Sequence, residues 1–275
     1  MRNLIIGDIH GCFGKLTDVL SRSGYDQDKD NLFLTGDMCD RGRENVKVVR
    51  FLMKLHNFFP VLGNHDVWLQ NFLGSEEISP LWTSTNGGIV TVNDFQRLAV
   101  GGDERLRMAK WLQGIPFIRF TDSYVVVHGG IPSCSADFPL EIAKVKRNLY
   151  ETTQYQVGDR ILECDKLLWD RSYRGSAMYA KEHPEKLRDN SGEFDGIGSG
   201  GMSNPLWNFQ GRTMFVGHTP LDEPFYSEAY RLVALDTGSF AKTGRITAVD
   251  MDTLDYWQSG VDDMRNLKRM ERKQE

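Results

Sequence analysis

Five short clusters constrain this chain more than any other feature. They are Gly7-Asp8-Ile9-His10-Gly11, Gly36-Asp37-Met38-Cys39-Asp40-Arg41-Gly42, Gly63-Asn64-His65-Asp66, His128-Gly129-Gly130 and Gly217-His218-Thr219. Each ends an apolar, strand-like run, and each supplies Asp, His or Asn. Residues Asn3 to Ile6, Asn31 to Thr35 and Phe58 to Leu62 read as buried strands that feed the first three clusters. Between them, Phe13 to Ser23 spaces Phe13, Leu16, Val19 and Leu20 as a helix does. Glu44 to Asn57 likewise gathers Val48, Phe51, Leu52 and Leu55 on one side. Strand, cluster, helix, repeated, specifies βαβ units and a parallel sheet. Ligand sites in such sheets form at the carboxyl ends of the strands, where all three clusters fall.

The remaining clusters ask for a second sheet. Phe117 to Phe120 and Ser123 to Val127 read as a hairpin around Thr121-Asp122 that ends at His128, and Met214 to Val216 leads to His218. Leu232 to Leu235 and Ile246 to Met251 resemble a closing antiparallel pair. Two packed sheets with outer helices give an α/β fold, a four-layer α/β/β/α sandwich in a single domain over residues 1–260. Residues 172–210 are rich in Gly, Ser, Asn and charge, and are expected to form a variable loop or lid with a short helix near Ala177 to Glu182. Residues 261–275 read as a charged, solvated tail.

Composition narrows the function classes. A net charge of −5 argues against a surface that coats nucleic acid, leaving nucleic acid a role only as a nucleotide substrate. No apolar run approaches the roughly 20 residues that span a bilayer. Residues 1–6 run straight into the first cluster, so no signal peptide is expected. Cys12, Cys39, Cys134 and Cys164 show no CxxC spacing and no dense framework, so a reducing cytoplasm is the expected location. Trp68, Trp82, Trp111, Trp169 and Trp257 are assigned to core and rim; Trp207, beside a glycine-rich stretch, is also a candidate for stacking on a substrate.

The chemistry follows from residue type. In Asp8-x-His10, alternate residues at a strand end reach one side and hence one ion. Asp37, from the neighbouring strand, is placed to bridge two ions, and Asn64, His128 and His218 complete the second site. Three imidazoles favour Mn²⁺, Fe or Zn²⁺ over Mg²⁺, with Mn²⁺ the first expectation. Two such ions about 3.5–4 Å apart hold a hydroxide in line with phosphorus. His65 is then the acid that protonates the leaving oxygen, and Asp40 holds its ring. Arg41 grips phosphate oxygens with its planar fork, and Arg171 is the candidate for the opposite side.

The series GDIHG, GDMCDRG, GNHD, HGG and GHT resembles the calcineurin-like metallophosphoesterase superfamily over about residues 3 to 250. Asp40-Arg41-Gly42 is similar to the phosphoprotein phosphatase branch, which includes bacterial and bacteriophage lambda-type serine/threonine phosphatases. The resemblance implies the four-layer sandwich and two metals held by Asp8, His10, Asp37, Asn64, His128 and His218. It also implies acid His65 with Asp40, and phosphate-binding Arg41. Asp66 stands where eukaryotic members usually have Glu, and Thr219-Pro220 replaces the Thr-His of the wider superfamily. The activity expected is a two-metal phosphomonoesterase acting on phosphoserine or phosphothreonine of proteins, or on small phosphoesters. The alternative is a symmetrical diadenosine tetraphosphate or other nucleoside polyphosphate pyrophosphohydrolase; the family's members with that activity have Ala at the position of Asp40.

Overall fold

The computed structural model describes residues 1–75, 78–131, 142–143, 154–157, 160–183 and 211–272. The first half runs β1 (Arg2–Ile6), α1 (Phe13–Arg22), β2 (Asp30–Leu34), α2 (Asn45–Leu52), β3 (Phe58–Pro60) and α3 (Asn64–Ser75). Helices α4 (Pro80–Thr85), α5 (Gly88–Arg97) and α6 (Gly102–Gln113) follow, then β4 (Ile118–Phe120) and β5 (Tyr124–Val127). A small sheet of β6 (Ile142–Ala143), β7 (Gln154–Val157) and β8 (Arg160–Glu163) precedes α7 (Cys164–Trp169) and α8 (Ser172–Glu182). The chain closes with β9 (Thr213–Val216), β10 (Phe225–Ser227), β11 (Leu232–Ala234), β12 (Thr247–Asp250), β13 (Asp255–Gln258), β14 (Arg265–Asn266) and α9 (Leu267–Arg272).

Two larger sheets carry the architecture. One has the order β14-β13-β12-β1-β2-β3, the other β10-β11-β9-β5-β4. In the first, β1, β2 and β3 are parallel; in the second, β5, β9 and β11 are. Side chains alternate faces along each strand. Ile5, Phe33 and Val249 of one sheet therefore meet Val126, Phe215 and Val233 of the other in a single buried cluster. Leu4, Ile6, Leu32 and Leu34 turn the other way, into a second cluster with Leu16, Val19, Val48 and Leu52 of α1 and α2. Met214, Val216 and Leu232 of the other sheet share that cluster with Tyr173, Ala177 and Ala180 of α8. Helix, sheet, sheet, helix is the expected four-layer sandwich.

Four local expectations need correction. Leu232 to Leu235 and Ile246 to Met251 do not pair as strands. β11 lies in the second sheet between β9 and β10, while β12 lies beside β1 in the first. Only a bridge between Thr237 and Arg245 links the stretch between them. Every residue of β11 and β12 is buried, which suits interior strands of two sheets better than a two-stranded flap. Helix α2 stops at Leu52, not Asn57, and Asn57 takes a left-handed φ of 49° before the next strand. The helix expected near Ala177 begins at Ser172; residues 184–210 of the expected lid, and Trp207 within them, lie outside the described residues. Finally, the charged stretch after 260 is tied down. β14 pairs with β13, and Leu267, 1% exposed, packs into the inter-sheet core.

Candidate metal centre

The ends of β1, β2, β3, β5 and β9 converge because all five run parallel within their sheets and stop at one edge. They bring one carboxylate oxygen into reach of three imidazoles. Asp37 Oδ2 lies 3.3 Å from His128 Nε2, 3.6 Å from His10 Nε2 and 3.9 Å from His65 Nε2. Two His/Asp groups share this residue: His10, Asp37 and His65 on one side, and Asp37, His128 and His218 on the other, each with ligand atoms mutually within 4.8 Å. Asn64 Oδ1 sits 3.0 Å from His128 Nε2 and 3.1 Å from His218 Nδ1. Two donors bonded to one ion at about 2.0–2.2 Å stand roughly 3–3.5 Å apart, which is the spacing seen here. Asp8 is buried among them at 2% exposure, but its carboxylate accepts from Thr35 Oγ1 at 3.0 Å and from the His218 N–H at 2.9 Å. It is outside both tight groups.

The imidazoles carry a further signature of ligands. His10 Nδ1 is 2.9 Å from the Cys39 carbonyl, His128 Nδ1 is 2.8 Å from the Thr35 carbonyl, and His65 Nδ1 is 2.6 Å from Asp40 Oδ2. A carbonyl or carboxylate accepts only, so in each ring Nδ1 donates. The Nε2 atom then faces the centre, with its lone pair available when the ring is neutral. His218 is reversed: Nδ1 faces inward, and its buried Nε2 has no hydrogen-bond partner. Oxygen and nitrogen donors in this proportion fit a first-row divalent cation.

Charge follows the same geometry. Burial opposes ionisation of Asp37, but His128 and His65 beside it hold the carboxyl well below its ordinary range. Burial lowers His128, yet Asp37 outweighs it and pushes the ring up to about 10. His218 has no such carboxylate contact; burial, then His128, lowers it to about 3. Burial and Asp236 raise Asp8 well above its ordinary value, and burial lowers His10. Carboxylates and imidazoles crowded out of water in this way are stabilised by a cation in their midst.

Around this centre Asp40 is saturated. Its Oδ2 accepts from His65 and from Trp82 Nε1 at 2.5 Å, its Oδ1 from Thr91 Oγ1 at 2.5 Å, and its own N–H donates to Asn45 Oδ1 at 2.8 Å. Trp82 is fully buried, as its core assignment anticipated, yet it also orients the acid pair. Thr91 and Asn45 carried no sequence signal, since a lone Thr or Asn in a helix is usually a solvated residue. Asp66 was visible only as the end of its motif. It binds the loops together, accepting from the N–H groups of Asp37, Met38 and Gly63 at 2.8–2.9 Å. Arg41 lies over the centre, with Nη1 2.8 Å from His10 Nε2 and Nη2 3.2 Å from His65 Nε2. Arg171 comes from the opposite side, its Nε donating to Thr219 Oγ1 at 3.1 Å.

The backbone pays a local penalty for this convergence. His10, Asp37, Asp40, Arg41 and His218 have φ between 47° and 75°, five of the nine non-glycine residues in the left-handed region among those described. Such conformations cost of order 1–3 kcal/mol each and persist where the surroundings over-determine them. Gly63 and Gly217 are needed for closeness instead: a Cβ would lie 2.0 Å from Asp37 Oδ1 at one and 2.1 Å from Asp8 Oδ1 at the other.

Comparison with known proteins agrees with this geometry. The sequence profile of the calcineurin-like phosphoesterases matches residues 1–222, and the chain belongs to that family of hydrolases acting on phosphoesters. Enzymes of the family depend on two metal ions, and the His/Asp groups described above could hold such ions. The symmetrical bis(5′-nucleosyl)-tetraphosphatase of Coxiella burnetii (strain Dugway 5J108-111) is 32% identical over 133 residues, covering 46% of this chain and 41% of that protein. The match thus spans under half of that relative's length. Among solved structures, one assigned as a diadenosine tetraphosphatase superposes with a TM-score of 0.56 at 20% identity, covering 94% of this chain and 92% of the other. A protein serine/threonine phosphatase of Saccharomyces cerevisiae gives 0.57 at 18% identity, covering 96% and 79%. At these identities the two structures establish the fold alone. Among the described residues, no helix is long and apolar enough to cross a membrane.

Proposed function

We propose that the chain is a two-metal hydrolase of nucleoside polyphosphates, with dinucleoside tetraphosphates as its substrate class. The observation that supports the chemistry is that the Asp37 carboxylate belongs to both His/Asp groups, so that it would serve both cations. Asp8, His10, Asn64, His128 and His218 would supply the remaining ligands, with Mn²⁺, Fe or Zn²⁺ suited to the donor set. When bound, such a pair supplies Lewis acidity and lowers the pKa of water toward roughly 7. Arg41 and Arg171 hold the phosphate oxygens from two sides. With Nδ1 of His65 committed to Asp40, Nε2 is the atom from which a proton reaches the leaving oxygen. Asp40 stabilises the ring while it carries that proton. The substrate class is supported by the likeness to the symmetrical tetraphosphatase of Coxiella burnetii. It moves the preference from the protein phosphatase of the sequence reading to the pyrophosphohydrolase that stood as its alternative.

A second reading, hydrolysis of phosphoserine or phosphothreonine in the manner of the phosphoprotein phosphatase branch, is favoured by the 2.6 Å contact between Asp40 and His65. The Mn²⁺ form, given diadenosine tetraphosphate and a phosphopeptide at equal concentration, decides. A kcat/KM at least about tenfold higher on the dinucleotide, abolished by chelation, upholds the first reading; the reverse order replaces it with the second. A tenfold preference corresponds to about 1.4 kcal/mol of differential transition-state binding.

A further inference from the structure

Two exposed aromatic side chains stand beside the centre. Trp169 is 39% exposed and Phe240 40%, and no other Phe, Trp or Tyr among the described residues is as open. Both close onto site histidines. Phe240 meets His10 edge-to-face at 5.3 Å between centroids, and Trp169 meets His218 at 5.1 Å with the rings at 90°. Between them the rings continue: His10 to His65 at 4.8 Å, His65 to Trp68 at 5.2 Å, and Trp68 to Trp169 at 5.9 Å. The result is a continuous run of aromatic rings beside the centre, with an open ring at each end.

Both ends are held in place. The Arg41 guanidinium lies over the Phe240 ring, 4.5 Å from its centroid. The loop that bears Phe240 is clamped by one ammonium: Lys15 Nζ donates to the carbonyls of Ser239 at 2.6 Å, Ala241 at 3.0 Å and Gly244 at 2.6 Å. Trp169 ends α7, whose Leu167 carbonyl accepts from the N–H groups of Gly129 and Gly130 at 2.8 and 3.3 Å, just after the ligand candidate His128. A water-exposed ring that is also immobilised is suited to offering its face to another flat group.

We propose that Phe240 and Trp169 are stacking platforms for the nucleobases of a nucleoside polyphosphate, one at the Arg41 end of the centre and one at the His218 end. The proposal rests on the dinucleotide reading above. A phosphorylated Ser or Thr brings no planar ring to either platform. A dinucleotide brings two, separated by a polyphosphate chain that Arg41, beside Phe240, and Arg171, bonded to Thr219 next to His218, would receive. Base stacking on an aromatic side chain contributes about 1–3 kcal/mol per base and tolerates any base, so the platforms would bind nucleosides without selecting among them.

The test uses the full chain loaded with Mn²⁺ and the variants Phe240→Leu, Trp169→Leu and Lys15→Met, with Leu106→Ala on α6 as an exposed apolar control. KM is measured for diadenosine tetraphosphate and for inorganic tetraphosphate, which has the phosphate chain without the bases. Each platform variant is expected to raise the ratio of the two KM values about tenfold, Lys15→Met less, and Leu106→Ala not at all. Ratios that stay at the wild-type value in both platform variants overturn the proposal. Binding of adenosine 5′-monophosphate to the same proteins, followed by tryptophan fluorescence and calorimetry, separates this outcome from failure of the substrate reading. If the wild type does not cleave the dinucleotide, nucleotide binding weakened about tenfold by either platform variant upholds the platforms and discards the substrate. Absent binding, or binding equal in all variants, discards the platforms.

Discussion

The centre is assembled from two halves that reach it by different routes. Asp8, His10, Asp37 and Asn64 come from the ends of three adjacent parallel strands within residues 8–64, joined by short helical crossovers. His128 and His218 are 90 residues apart and meet only because β5 pairs with β9. The first half is cross-braced by Asp66 and by the Nδ1 anchor of His10; the second leaves His218 Nε2 buried without a partner. The same residue type thus ends with opposite proton affinity at neighbouring positions. His128, against Asp37, is raised to about 10, and His218, 3.2 Å from it, is lowered to about 3. Contact with the Asp37 carboxylate outweighs burial in the first case; His218 lacks that contact, and burial prevails.

Asp37 belongs to both halves, so Asp37→Asn gives the largest effect. Metal content after Mn²⁺ loading, measured by elemental analysis, is expected to fall below one ion per chain. Turnover is expected to drop by more than the roughly 100-fold typical of changes outside the ligand shell. Retention of two ions would break the claim that this carboxylate joins the halves. His65→Asn tests whether the first half does more than bind metal: two ions stay bound while kcat falls about 10²–10⁴-fold, the usual contribution of general acid catalysis. Near-normal turnover would remove His65 from the proton path.

Asp66→Asn sharpens the contrast in rigidity. Its side chain loses charge on three backbone N–H groups that set the loops of the first half alone. Mn²⁺ affinity, by titration calorimetry, is expected to weaken about 10–100-fold, with retention of the His128–His218 contact visible by NMR. The smallest effect is on pH dependence of the metal-free protein. His128 has a folded pKa above its ordinary 6.5, so its stabilising contribution is complete below about pH 6.5 and is lost as pH rises through about 10. His218 has a folded pKa below 6.5, so its contribution is present above that pH and is lost as pH falls toward about 3. Urea unfolding of chelated protein should show stability declining from pH 7 to 10, and His128→Asn should flatten that decline. An unchanged slope in the variant would show that the ring does not hold the extra proton.

Much of this was legible in the chain itself. A cluster after each apolar run, with helical spacing between, specifies parallel strands ending at one edge, because a right-handed crossover leaves few other ways to bury both faces. The Asp, His and Asn at those ends name an oxygen- and nitrogen-rich cage by residue type alone, and Asp40 beside Arg41 suggested the support for His65. Other features had no one-dimensional signature. Trp82 and Thr91 bond to Asp40 across |i−j| of 42 and 51, and nothing in a lone Trp or Thr reveals a carboxylate that far along the chain. The fates of Leu232 to Leu235 and Ile246 to Met251 were equally hidden, since two largely apolar runs do not say which sheet each will join.

The sequence by itself determined the chemical types at the centre and the edge at which they gather, because both follow from local periodicity and strand direction. Only the tertiary structure decided which imidazole is held cationic, which carboxylate is shared, and which aromatic rings stay open to water. Those properties depend on distances between segments that are remote in the chain, and electrostatic energy in a poorly screened interior varies with each ångström of separation.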